Sequence, residues 1–178
     1  TGAQLSGATW MDGTICAPGS VGTCNTAAAP SGCTAPPAMG VDWAGCNKIG
    51  DNFKTANLES ANLSNGTFDR ADFSGAILFR AQATGRTFFE NANFFGADMV
   101  DMNLSDAFLV NASLVQANLE SATLKGADLS STNLNGAFMR LANLENASLF
   151  NANLTNVDLS NADLRNANLN KANLTNIN

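Results

Sequence analysis

Ala117-Asn118-Leu119-Glu120-Ser121-Ala122-Thr123-Leu124-Lys125-Gly126-Ala127-Asp128-Leu129-Ser130-Ser131 is one five-residue phrase written three times. Each copy has a small residue, a polar one, a leucine and two variable positions. The phrase persists in both directions. Stepping by five from Phe94 meets Met99, Leu104, Leu109, Leu114, Leu119, Leu124, Leu129, Leu134, Met139, Leu144, Leu149, Leu154, Leu159, Leu164, Leu169 and Leu174, giving 17 large apolar residues without a break. Alanine stands two residues before 14 of them, the exceptions being Met102, Thr132 and Val157. An earlier block runs through Phe53, Leu58, Leu63, Phe68, Phe73, Leu78, Ala83 and Phe88, one residue out of frame. That offset places a one-residue insertion near Phe88-Phe89.

A period of five suits neither regular structure. On an α-helix each step advances about 500°, so the leucines would spiral around every side. On a straight strand an odd period sends successive leucines to opposite faces. The pattern becomes coherent if the chain turns a corner once per unit. Alanine and leucine, two apart, then both face inward, and the intervening Asn or Asp faces out. Such a chain coils as a solenoid, with inward residues stacked at the strand spacing of about 4.8 Å.

At this point the sequence resembles the pentapeptide-repeat family, whose motif is Ala-(Asp/Asn)-Leu-x-x, over roughly 51–178. The resemblance implies an all-β, right-handed quadrilateral β-helix with four units per coil. The 25 central positions then make about six coils, roughly 30 Å long at the strand spacing. Function does not transfer with the fold. Some members of the family resemble duplex DNA in shape and charge and bind DNA gyrase.

Four units per coil stack residues 20 apart. One interior column then reads Phe53, Phe73, Phe94, Leu114, Leu134, Leu154, Leu174, opening with three phenylalanines suited to offset packing. Another reads Phe68, Phe88, Leu109, Leu129, Leu149, Leu169. Outside, Lys125, Glu145 and Arg165 form one column and Glu120 and Arg140 another, with alternating signs that attract from rung to rung. Stacked outward asparagines can hydrogen-bond along the axis. Seven Asn-x-Ser/Thr sequons begin at Asn62, Asn65, Asn103, Asn111, Asn146, Asn153 and Asn173, and the repeat register generates them.

The remaining composition excludes several functions. Of 178 residues, 45% are hydrophobic and only 13% charged, with a net charge of −6, about half the usual charged fraction. The length suffices for one buried core, and the apolar content argues against disorder. No run approaches the roughly 20 apolar residues of a membrane span, so membrane insertion is not expected. Nine Lys and Arg against fifteen Asp and Glu disfavour a grip on nucleic-acid phosphates. With no histidine at all, the commonest general base and metal ligand are missing. Asp98 with Asp101 and Asp69 with Asp72 read as ordinary solvated repeat positions. No catalytic residue, metal site, cofactor or small-molecule substrate is expected.

The N-terminal part departs from the repeat. Ala3-Gln4-Leu5 and Ala8-Thr9-Trp10 match it, so residues 1–15 read as initial repeat units. Residues 16–47 hold all four cysteines and all four prolines and read as an insertion, with 48–178 as the solenoid proper. Trp43 falls in frame with Phe53, so the repeat resumes near it. Cys16, Cys24, Cys33 and Cys46 lack the C-x2-C pairs of zinc sites and the C-x-x-C of redox catalysts. Two disulfides stapling a segment with little core of its own fit better, with Cys16–Cys24 and Cys33–Cys46 favoured over the other two pairings. Disulfides and a start at Thr1 without Met point to an exported protein, extracellular or cell-surface, with the periplasm as a further possibility.

These readings leave ends and outer surfaces to carry function. No cap is visible at either end of the repeat, and open solenoid ends present unpaired backbone groups. Head-to-tail stacking through Ala3 and Leu5 at one end and Leu174 and Ile177 at the other would satisfy both, and such contacts propagate as a filament. The alternatives are a Cys-rich loop folded over one end of a monomer, or a monomeric or dimeric binding scaffold, gyrase binding included. A lateral surface is also expected, because Phe79, Phe95, Val100, Val110, Val115 and Phe150 occupy positions that should face water. Phe89 joins them if it lies outside the frame. The expected partner is therefore a second copy of the chain.

Overall fold

The computed structural model describes residues 31–178. Within them every fifth residue bridges, in parallel, to the residue one coil further on. Four columns result. The first face runs Asp42, Asn62, Gln82, Asn103, Thr123, Asn143, Asp163; the second Asn47, Thr67, Phe88, Phe108, Asp128, Ser148, Asn168. The third runs Asn52, Asp72, Asn93, Ser113, Asn133, Asn153, Asn173, and the fourth Asn57, Ile77, Asp98, Asn118, Phe138, Asp158. The chain therefore turns four corners before lying over itself, the four-sided coil that the period of five demands.

Two local devices make the corners. First, the N–H three residues past each central residue bonds back to its carbonyl, as Ala122 N to Leu119 O at 3.0 Å. The third residue of that turn has positive φ, the signature of a type II turn. Twenty non-glycine residues among those described hold this conformation with φ of 55–61°, nine of them asparagine, a residue that tolerates the left-handed region. Second, the polar residue before the centre accepts the N–H just after it, as Asn52 Oδ1 does from Lys54 N at 3.0 Å and Asp128 Oδ1 from Ser130 N at 2.9 Å. Such side-chain turns are what Asn and Asp do best. Remaining backbone groups bond along the axis, as Asn118 N to Ala97 O (2.9 Å) and Leu119 N to Phe138 O (2.7 Å).

Among the described residues, Leu141 is the one large aliphatic side chain at a left-handed corner (φ 60°), and it is 51% exposed. That backbone conformation costs a non-glycine residue on the order of 1 kcal/mol. We expect Leu141→Asn to stabilise the coil by about 1 kcal/mol and raise Tm by about 2–4 °C. A thermal melt checks this, and a lower Tm would contradict it.

Inside, the alanines and central residues form one continuous core, nearly all fully buried. Trp43 packs on Phe53 (5.0 Å between ring centroids), Phe53 on Phe73 (4.9 Å) and Phe73 on Phe94 (4.9 Å, planes 5° apart). The aromatic column expected from the 20-residue period is thus present. The second interior column differs from expectation. Phe89, not Phe88, is its inward member, fully buried and stacked on Phe68 at 5.4 Å. Phe88 stands outside and stacks on Phe108 at 5.0 Å.

The extra residue therefore lies earlier, between Ala83 and Thr87. Thr87 takes the inward seat that alanine fills elsewhere, fully buried. Its hydroxyl donates to Thr84 O (2.9 Å) and accepts Asn65 N–H (2.9 Å), which completes the widened corner. Periodicity alone could not separate two adjacent phenylalanines.

The first described rung is covered. Residues 41–47 already lie in the coil, with Val41, Trp43 and Cys46 buried. Cys33 is disulfide-bonded to Cys46, Gly32 N donates to Asp42 O (3.0 Å) and Trp43 Nε1 donates to Ala35 O (3.1 Å). Lys48 sits in a central seat, its ammonium 4.4 Å above the Trp43 ring and 3.6 Å from Asp51. A cation and a stapled segment thus close the described N-terminal end, which sequence reading left open. Cys16, Cys24, Ala3 and Leu5 lie outside the described residues.

Candidate interaction surface

The four faces differ in what they show to solvent. On the first, the positions after the central residues read Ala44, Ser64, Thr84, Ser105, Lys125, Glu145, Arg165. Lys125 pairs with Glu145 at 2.9 Å, Arg165 approaches Glu145 at 3.7 Å and Asp163 at 2.7 Å. The alternating charge column expected from sequence is therefore formed. After the fourth face, which adjoins the first, Arg140 meets Glu120 at 3.5 Å and Arg80 meets Asp101 at 3.6 Å. Exposed pairs of this kind contribute little stability each, but they fix a sign pattern along the surface.

The other three faces carry apolar side chains outward. Of the sequence-selected residues, Phe95 (49% exposed) and Phe150 stand clear, while Phe79, Val100, Val110 and Val115 are partly buried. Arg80 covers the Phe79 ring at 4.6 Å and Lys171 the Phe150 ring at 5.1 Å. Phe95 and Val115 occupy successive rungs of the third face. Phe88 and Phe108 occupy the corresponding rungs of the second and form a separate apolar patch, because Glu90, Asn91 and Asn93 lie between Phe88 and Phe95 along the rung. Leu174 and Ile177, expected at an end interface, lie on the last rung, each 41% exposed. Phe89 belongs to the core and not to this surface.

Several outward apolar residues escaped the sequence reading. Ile77, Phe108 and Phe138 occupy the seat before the central residue, where Asn or Asp is the rule. Phe138 is 54% exposed. Each gives up the side-chain turn that Asn or Asp would make. That departure is visible in the sequence as a hydrophobe in a polar column.

The carboxylates act as structural acceptors. Asp98 Oδ1 accepts Val100 N–H (3.3 Å) and Asp69 Oδ1 accepts Glu90 N–H (2.9 Å). Asp72 accepts Ser74 N–H (2.9 Å) and the Asn93 amide (3.0 Å). Its carboxyl is held below the ordinary range, chiefly by hydrogen bonds from Ser74. Asp158 is lowered by hydrogen bonding from Ser160, Asp163 by Arg165 and Glu145 by Lys125. Among the described residues no group of three or more His, Cys, Asp or Glu is placed to hold a metal ion, and no helix is long and apolar enough to cross a membrane.

Those lowered values set the sign of an acid response. A carboxyl whose folded pKa is depressed stabilises the fold above its unfolded pKa and loses that contribution as pH falls through the folded one. Urea midpoints should therefore hold from neutrality to about pH 5 and fall below about pH 4. Asp72→Asn keeps the acceptor and should reduce the slope; a midpoint unchanged between about pH 7 and pH 3 would contradict this reading.

A family model described as Pentapeptide repeats matches in 8 copies over residues 56–85, 103–140 and 142–178. Among solved structures, a pentapeptide repeat protein from the Arabidopsis thaliana thylakoid lumen is 27% identical. The match covers 69% of this chain and 71% of that one, with a TM-score of 0.54. QnrB1, a plasmid-mediated fluoroquinolone resistance protein, is 17% identical over 79% of this chain and 82% of its own, with a TM-score of 0.53. No curated protein matches the sequence.

Proposed function

This chain belongs to the pentapeptide-repeat family, and from that premise we propose that it is a non-enzymatic scaffold that associates side by side with copies of itself. The family's fold, a right-handed quadrilateral β-helix, supplies a rigid wall. The observation that carries the proposal is the division of its faces. The first is polar along its length, whereas the second carries an outward apolar patch at Phe88 and Phe108 and the third another at Phe95 and Val115. Outward apolar clusters of this kind mark interaction surfaces. The first and fourth faces, which flank these patches, carry charge columns that alternate by rung, and such a column complements an identical one displaced by one rung, which suits a second copy.

Phe95→Ser with Val115→Ser is the test. Neither residue lies in the core, so the melting curve should stay close to that of the parent chain. Sedimentation velocity should show the parent's concentration-dependent mass disappearing. Unchanged association of a folded double variant would sink the side-by-side reading.

The Cys33–Cys46 disulfide supports residence in an oxidising compartment, extracellular or at a cell surface. The lumenal location of the Arabidopsis relative is consistent with a non-cytosolic site. A second reading, end-to-end stacking into a filament, draws on Leu174 and Ile177, both exposed on the last rung. Where that rung is terminal in the working protein, a second copy could seat on it. The covered first rung weighs against this arrangement. Gyrase binding by duplex mimicry is disfavoured, since Arg80, Lys125, Arg140 and Arg165 interrupt the acidic positions. A supercoiling assay unaffected by the protein agrees with that exclusion.

A further inference from the structure

We infer that the Cys33–Cys46 disulfide is a redox latch on the N-terminal end of the solenoid. Residues 31–40 lie against the first rung but contribute little to the core; of them, only Ala35 packs against it. Apart from the disulfide, the stretch 31–38 is tied to the rung by the parallel Ser31–Asp42 bridge with Gly32 N–H to Asp42 O, by Val41 N–H to Ala38 O and by Trp43 Nε1–H to Ala35 O. Beneath lie Val41 and Trp43, both fully buried. One covalent bond therefore holds a weakly anchored segment over an apolar end.

The two sulfurs differ in access. Cys33 is exposed, while Cys46 is 2% exposed in an inward seat of the second face. A dithiol reductant would attack the Cys33 sulfur as a thiolate. The S–S bond breaks, Cys46 leaves as thiolate and takes a proton, and a mixed disulfide forms on Cys33. The reductant's second thiolate then displaces Cys33, which is protonated. Two electrons and two protons have reached the chain, and the reductant is left as its own disulfide. Closing a loop of this length favours the latched state by about 10²-fold, so reduction shifts the segment toward the open state by that factor. Opening exposes Trp43 and leaves Asp42 O without its donor, presenting an apolar, unpaired strand edge to a partner. Lys48, pairing with Asp51 and Trp43, keeps a charge at that end in either state.

Hydrogen exchange read by mass spectrometry on the whole chain, oxidised and after dithiothreitol, tests the latch. The expected result is exchange about 10²-fold faster in peptides from 31–46, with those from 60–178 unchanged, and recovery on reoxidation. Unchanged exchange in 31–46, once alkylation shows Cys33 and Cys46 both free, would overturn it. Equal loss of protection along the whole solenoid would also overturn it, because the bond would then be a staple of the fold. As an independent check, Cys33→Ser in a Trp10→Phe background should leave Trp43 emission red-shifted and quenchable by acrylamide without reductant. A Trp43 as shielded as in the parent contradicts the latch.

Discussion

Phe89→Ala should destabilise the solenoid by about 3–5 kcal/mol, while Phe88→Ala, one residue away, should cost about 1 kcal/mol or less. Phe89 is fully buried and meets Phe68 at 5.4 Å, Phe94 at 5.3 Å and Phe73 at 5.9 Å. Removing its ring leaves a cavity walled by other rings, which cannot collapse without disturbing two aromatic columns. Phe88 loses only outward contacts, the stack on Phe108 and the Arg86 guanidinium 5.9 Å from its ring. Urea denaturation of both variants, compared at equal m-value, is the measurement. Reversed costs would put the insertion after Phe88, as the periodicity first suggested, and would overturn the placement of Thr87 in the core.

Gly66→Ala is the second large effect, and its sign opposes the family motif. Alanine is the motif residue at this seat, and Ala107, Ala127, Ala147 and Ala167 occupy it further along the second face. At Gly66 a methyl group would lie 2.5 Å from Phe68 Cε2 and 2.9 Å from Leu63 O. The backbone oxygen is fixed by the corner hydrogen bond from Gly66 N (3.1 Å). The ring is fixed as well, between Phe53, Phe73 and Phe89. Overpacking of this kind costs about 1–3 kcal/mol, or about 2–10 °C in Tm. Phe68→Leu frees the space, so Gly66→Ala should cost less in that background than alone, a coupling that a double-mutant cycle reads directly. Stabilisation by Gly66→Ala in the parent chain would mean that Phe68 points elsewhere.

The coil was legible because its cause is strictly periodic. Seventeen apolar residues at steps of five leave one consistent geometry, and columns 20 apart then place Phe53, Phe73 and Phe94 together. Less legible was the role of asparagine. It serves two seats, the side-chain turn before the centre (Asn52) and the left-handed corner after it (Asn111); sequence reading found the outward seat before the centre, but neither the turn made there nor the corner. The Phe88-Phe89 pair stayed ambiguous because both residues satisfy the pattern, and only the burial of Phe89 against Phe68 and of Thr87 in the widened corner decides between them. Among outward residues, Phe95 and Phe150 were found as hydrophobes at solvent positions. Phe108 and Phe138 were overlooked because their column was read as polar by default. The cover over the first rung depends on a disulfide and on the Trp43 indole, long-range contacts with no periodic trace.

Recognition has a rigid frame, outward aromatic patches and signed charge columns to draw on in this surface. The most direct test of side-by-side association is electron microscopy of the oxidised chain across a concentration series. The account predicts paired or bundled particles with parallel long axes, more numerous as concentration rises and lost in the Phe95→Ser, Val115→Ser variant. Single particles at every concentration, or rods that grow only along their long axis, would contradict it.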